Sequence, residues 1–169
     1  MTGKFQSILL GAMIVGLLAT ILSLIQFGVQ SQILGSVACC LIPTLGAIVA
    51  TWHFASTNAL TIPAGQGAMM GLSVALLGWV ISTILSMLVA LTGLMPSPFD
   101  VDAIVELAKE SMVNQGNSQA EIDTAVGFMR QYYLVLVAVT VVVYGLIGAV
   151  AGAIGANVFK HGAAAEVAE

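Results

Sequence analysis

Residues 5–28 read FQSILLGAMIVGLLATILSLIQFG, an apolar run without a single charged side chain. A helix needs about 20 mostly apolar residues to cross about 30 Å of hydrocarbon. This stretch meets that requirement, and its reading decides the rest. The run exceeds the h-region of a secretory signal, typically about 7–15 residues, and no small-x-small cleavage site closes it. It therefore reads as an uncleaved first span. The charge-free stretch continues outward from it to Phe99, and a second one covers Gln131–Phe159. Between them lies a short charged block, with six of the eight acids between Asp100 and Asp123.

The whole chain has 169 residues, of which 59% are hydrophobic and 7% charged. An average soluble protein carries roughly 25% charged residues. The mean hydropathy is +1.06. These values exclude a soluble globular domain, and disorder needs the opposite composition. A net charge of −4 gives no bulk attraction for nucleic acid.

Four spans follow, at about 5–28, 33–54, 66–94 and 132–159. Uninterrupted apolar runs lack the alternation of a membrane barrel, so the spans are helices. The expected fold is all-α: a four-helix polytopic membrane domain, with an extramembrane helical insert at about 97–131 and a polar tail at 160–169. Trp52, Phe54, Tyr132, Tyr133 and Phe159 fall at span ends, where amphipathic aromatics prefer the headgroup level. Trp79 and Tyr144 fall near mid-span, where their polar atoms need partners. Pro43 should kink span 2. The short loop Gln30–Gln32 makes spans 1 and 2 a tight hairpin. Cys39 and Cys40, adjacent on a helix, read as small packing residues.

Four spans put both termini on one side. Lys4 and Lys160 flank the membrane there, against Lys109 and Arg130 on the other. Lys4 ahead of the first span favours cytoplasmic termini and an outward-facing insert.

The insert carries two helix starts. Ser97 reads as a cap with Pro98 at the first helical position and Asp100 three residues on. Val101, Ile104, Val105, Ala108 and Met112 then recur at helical spacing. Ser118 caps a second helix with Glu121 at the capping-box position. Its apolar stripe, Ile122, Ala125, Val126, Met129 and Tyr133, runs on towards span 4. The product is an amphipathic hairpin whose apolar side covers the bundle end, the lipid interface or a partner. Asp100, Asp102, Glu106 and Glu110 lack the spacing of a calcium loop and read as a solvated acidic face. Together with Met112, Ile122 and Met129 they mark the candidate partner or membrane surface.

Small residues at four-residue spacing are the strongest physical signal. Gly67, Gly71 and Ala75 form one stripe of span 3, and Gly78, Ser82 and Ser86 another. Span 4 carries Gly148, Gly152 and Ala156 beside Gly145, Ala149 and Ala153. Ala12, Gly16 and Thr20, and Gly35, Cys39, Pro43 and Ala47, serve spans 1 and 2. Such faces let helix backbones approach closely in lipid. Two stripes on spans 3 and 4 suggest surface left over for a second copy or another membrane subunit.

The spans hold no acid or base, the usual mark of ion pathways and proton relays. His53 lies at the end of span 2, where water and headgroups suffice for it. His53 with His161 is a remote candidate for metal or haem ligation. No Ser-His-acid set and no phosphate-cradling loop occur, so no enzyme and no cofactor are expected. The leading reading is a scaffold or accessory subunit. The alternative is a small oligomeric pore or transporter for an uncharged solute, lined by Ser23, Gln26, Thr44, Ser82, Ser86 and Thr140. No repeat relates spans 1–2 to spans 3–4.

The insert also carries a resemblance. Met112-Val113-Asn114-Gln115-Gly116-Asn117-Ser118-Gln119-Ala120-Glu121-Ile122, then Ala125 and Met129-Arg130, resembles a family of small bacterial four-span proteins, a domain of unknown function. Pro63-Ala64-Gly65-Gln66-Gly67-Ala68 with Gly71-Leu72 is similar to that family's entry into its third span, and Gly145-Leu146-Ile147-Gly148 to its last. The resemblance covers most of the chain from about Ala55 on. It implies a bacterial cytoplasmic (inner) membrane location and brings no catalytic residue.

Overall fold

A computed structural model describes residues 3–29 and 32–160, excepting the side chains of 26–39. The turn at 30–31, the packing of Gln26, Gly35 and Cys39, His161 and the tail beyond it lie outside the described residues. The chain forms five helices: α1 Lys4–Val29, α2 Gln32–Asn58, α3 Ala64–Ala90, α4 Val101–Asn114 and α5 Gln119–Val158. No strand occurs among the described residues. Four of the helices, all but α4, are long and apolar enough to cross a membrane. The chain is a multi-pass helical membrane protein.

The bundle closes in the order α1–α2–α5–α3, with α2 and α3 also touching across the middle. α1 and α5 stand at opposite corners, without backbone contact among the described residues. Pairs of close residues give the directions. Gly11 faces Val74 and Gly16 faces Ile81, so α1 and α3 run parallel. Gly67 faces Gly152 and Gly71 faces Gly148, so α3 and α5 run antiparallel. The order is set by where the small residues sit. Each glycine removes a Cβ at a crossing, and in lipid close backbone packing replaces the hydrophobic drive.

The first stripe of spans 3 and 4 turns inward, and Gly78 and Gly145 of the second are buried as well, while Ser82, Ala149 and Ala153 are half-buried. Gly67, Gly71 and Ala75 meet Gly148, Gly152 and Ala156, while Gly78 packs on Val15 of α1 and Gly145 on Leu72 of α3. Gly155 packs on Thr51 of α2. Most of the small-residue surface is therefore used within the bundle, and Ala149 and Ala153 stay half-buried. The outer face of α5 is instead bulky, with Leu134, Val139, Val142, Leu146, Val150 and Ile154 exposed. That is a lipid-facing composition.

Two apolar clusters fill the interior. Val15, Ile42, Ala50 and Val74 form the first, with Tyr144 packed against it. Ala55, Ile62, Met70 and Ala156 form the second, nearer the α2–α3 connection. Ile62 is a plug: it precedes Pro63, the cap position of α3, and is buried in that cluster. α2 stays one helix through Pro43. At its end Ala59 takes φ 51° and the Leu60 N–H donates to the Ala55 carbonyl at 3.1 Å. This is a left-handed helix stop usually made by glycine.

Boundaries differ from the sequence reading in three places, the first being α2, which runs on to Asn58 instead of stopping at 54. α3 ends at Ala90, and Leu91–Gly93 form a turn with Gly93 at φ 76°. α4 begins at Val101 with Asp100 as its cap, the carboxylate accepting from the Ala103 N–H at 3.1 Å. Ser97 serves the preceding turn, accepting from the Phe99 N–H at 3.3 Å through its hydroxyl. A carboxylate closer to the apolar stripe outcompetes the serine for the free N–H groups of the first turn.

Candidate functional site

The α3–α5 zipper is tight at one end only. From Gly67 to Ala75 the two helices touch backbone to backbone. Beyond Leu76 and Gly145 side chains grow, and a cavity of about 350 Å³ opens between the helices. Trp79 and Thr83 line it from α3, and Tyr133, Val137 and Thr140 from α5. Pro98, Phe99, Ile104 and Val105 of the insert close it at the membrane-surface end. Along α5 it runs from Tyr133 to Thr140, seven residues or about 10 Å of helix. Trp79, expected to need a partner inside the bundle, sits in this cavity.

The hairpin that closes the cavity is fastened at several points. The Tyr133 hydroxyl donates to the Pro98 carbonyl at 2.5 Å. Arg130 meets the Asp102 carboxylate at 2.9 Å. Both partners of that ion pair are well exposed, so it contributes about 0–1 kcal/mol. Ser118 and Glu121 form the full capping box, the carboxylate accepting from the Ser118 N–H at 2.8 Å. That N–H, and the Ser118 hydroxyl, hold the Glu121 carboxyl below its ordinary pKa. α5 continues past the hairpin into its membrane part with one break, Tyr132 at φ −114° and ψ 15°.

The insert has an inner apolar side and an outer acidic one, although Phe99, Val113 and Phe128 are exposed too. Val105 and Ile122 are buried, and Met112 and Met129 half-buried, on the inner side. Asp100, Asp102, Glu106 and Glu110 are exposed. Lys109 reaches Glu106 at 3.6 Å, again in solvent.

Of the groups considered as a pore lining, Ser23 donates to the Ala19 carbonyl, Thr44 to Cys40 and Thr140 to Leu136, and Thr20 of the span 1 packing stripe donates to Gly16. Each hydroxyl is satisfied one turn back on its own helix. Thr20 and Ser82 lie 3.4 Å apart between α1 and α3, Thr44 sits in a groove beside Leu146 and Val150 of α5, and Thr140 faces the cavity.

One pair escaped the sequence reading. Ser7, fully buried on α1, lies 2.9 Å from Nδ1 of His53 on α2. No local pattern signals a pair 46 residues apart. No group of three His, Cys, Asp or Glu side chains placed to hold a metal occurs among the described residues. The bond ties α1 to α2 and satisfies the buried Ser7 hydroxyl.

The arrangement as a whole offers a mostly apolar cavity beside a fastened acidic hairpin. No family model, curated protein or solved structure matches the chain.

Proposed function

We propose that the protein is a non-enzymatic scaffold or accessory subunit of a bacterial cytoplasmic membrane, with cytoplasmic termini and the acidic hairpin outside. The observation that carries this reading is the hairpin. It is fastened to the bundle through Tyr133 and Pro98 while Glu106, Glu110 and Asp123 remain exposed. A braced acidic surface is pre-organised for a basic partner and loses little freedom on binding. The packing of the buried glycines within the bundle supports placing recognition on this surface.

The test is mild extraction from the native membrane, followed by particle mass and composition. A second protein in fixed ratio is expected, and it should be lost when Glu106→Gln, Glu110→Gln and Asp123→Asn are combined. A particle of this chain alone, unchanged in mass by the triple variant, overturns the reading.

A further inference from the structure

α5 breaks where its sequence gives no reason to. Inside a helix of 40 residues, Tyr132 alone leaves helical geometry, at φ −114° and ψ 15°. Sharp breaks have recognisable causes, most often proline, glycine or serine pairs, or a π-bulge. No proline and no glycine lies between Phe128 and Tyr144. Left to itself this stretch continues as one straight helix, so the break is imposed by contacts around it. The Tyr132 ring rests on Phe128, one turn back, with centroids 4.8 Å apart. The next residue, Tyr133, donates its hydroxyl to the Pro98 carbonyl, on the connection that enters from α3.

The hairpin beyond the break is built as a unit. Among the described residues α4 meets the backbone of α5 and of no other helix. Asp102 of α4 pairs with Arg130 of α5, and Val105 and Ile122 are buried. Two pieces of backbone tie this unit to the spans. One is α5 at Tyr132. The other is the connection 91–100, which turns at Gly93 with φ 76° and has open space where a Cβ would stand.

The junction between hairpin and spans is loosely filled. Phe99, Ile104 and Val105 face Trp79 and Thr83 across a cavity of about 350 Å³ instead of packing flush on α3. A void forfeits the dispersion contacts of the surfaces that line it. That leaves the Tyr133–Pro98 bond a large share of the closure. A few residues that absorb the backbone change, beside a rigid unit and a weak contact, make a hinged two-state element.

We propose that the hairpin is a lid over this cavity, hinged at Tyr132 and Gly93 and latched by Tyr133 on Pro98. Latched, α5 is bent and the insert covers Trp79 and Thr83. Unlatched, α5 straightens through Tyr132 and the hairpin swings away as one body, opening the cavity at the membrane surface.

Spin-label distances in the full-length chain, reconstituted in lipid nanodiscs, test this. Cys39→Ala and Cys40→Ala clear the native thiols. Label pairs then replace Leu88 and Glu110, Thr124 and Val142, or Glu110 and Thr124, all exposed positions. The 88–110 pair should show a short and a long population. Tyr133→Phe should raise the ratio of long to short roughly fivefold, which corresponds to about 1 kcal/mol. Ile104→Ala, which thins the lid and keeps the latch, should raise it in the same direction. The 124–142 pair should lengthen in step, towards the about 27 Å of 18 residues of straight helix. The 110–124 pair, inside the hairpin, should not change. One unaltered 88–110 distance in both folded variants overturns the proposal. So does an 88–110 change with the 124–142 distance fixed, or one in which the 110–124 distance broadens, since the hairpin then melts instead of swinging.

Discussion

Ser7 and His53 join the first turn of α1 to the last turns of α2 through one hydrogen bond of 2.9 Å. Ser7 has no exposed surface, so its hydroxyl depends on that partner. Replacing it with alanine strands His53 Nδ1 and should cost about 1 kcal/mol. Thermal unfolding in detergent should show the Ser7→Ala midpoint falling by a few degrees. An unchanged midpoint would mean that water replaces the hydroxyl.

The contact of Gly71 with Gly148 leaves no room for a side chain. A Cβ on Gly71 falls on the Gly148 carbonyl oxygen, and one on Gly148 lies 2.6 Å from the Gly71 oxygen. The obstruction is backbone and cannot rotate away. Gly71→Ala and Gly148→Ala should each destabilise the bundle by about 1–3 kcal/mol. Gly127→Ala is the control. It sits in α5 with nothing near its missing Cβ, so it should gain about 0.5–1 kcal/mol from helix propensity. Denaturation of the three variants side by side checks both signs.

Ala59 holds a left-handed conformation that costs an L-residue roughly 1–2 kcal/mol. Glycine adopts it freely. Ala59→Gly should therefore raise stability by about 0.5–1 kcal/mol, after its own entropy cost in the unfolded chain. A fall in the midpoint would show that the Ala59 methyl packs against something that repays the strain.

Two contacts govern the hairpin, and they respond to different variables. Tyr133→Phe removes the donor to Pro98 and should loosen the insert by about 1 kcal/mol, while leaving the spans intact. Hydrogen exchange should quicken in α4 and stay slow in α3. The Glu121 cap responds to pH. Its carboxyl is held below the ordinary value in the folded protein. Its contribution is therefore present above the unfolded carboxylate pKa and is lost as pH falls through the lower folded pKa. Exchange at the start of α5 should rise across that acidic window in the native protein, and Glu121→Gln should flatten the response.

Much of the architecture is legible in the sequence because hydrocarbon imposes its own rule. An uncharged run such as Phe5–Gly28 has few alternatives to a spanning helix. The capping box at Ser118 and Glu121 is equally local, and the structure forms it. Asp100 shows where local reading falters: two capping candidates three residues apart compete, and the carboxylate begins the helix. The partners of each stripe are not local at all. Gly78 and Gly71 look alike in sequence, yet one meets Val15 of α1 and the other Gly148 of α5. The cavity is harder still to foresee. It exists because α3 and α5 touch at Gly71 and Gly148 and part beyond Gly145, a relation between two helices that neither helix encodes alone.

α5 is one backbone from Gln119 to Val158, jointed at Tyr132. Its outer arm belongs to the acidic hairpin and its inner arm to the glycine zipper. A load applied to the hairpin thus travels along a lever whose fulcrum is Tyr132 and whose far end grips α3. The hairpin and the zipper are thus two arms of one helix, in mechanical series across Tyr132.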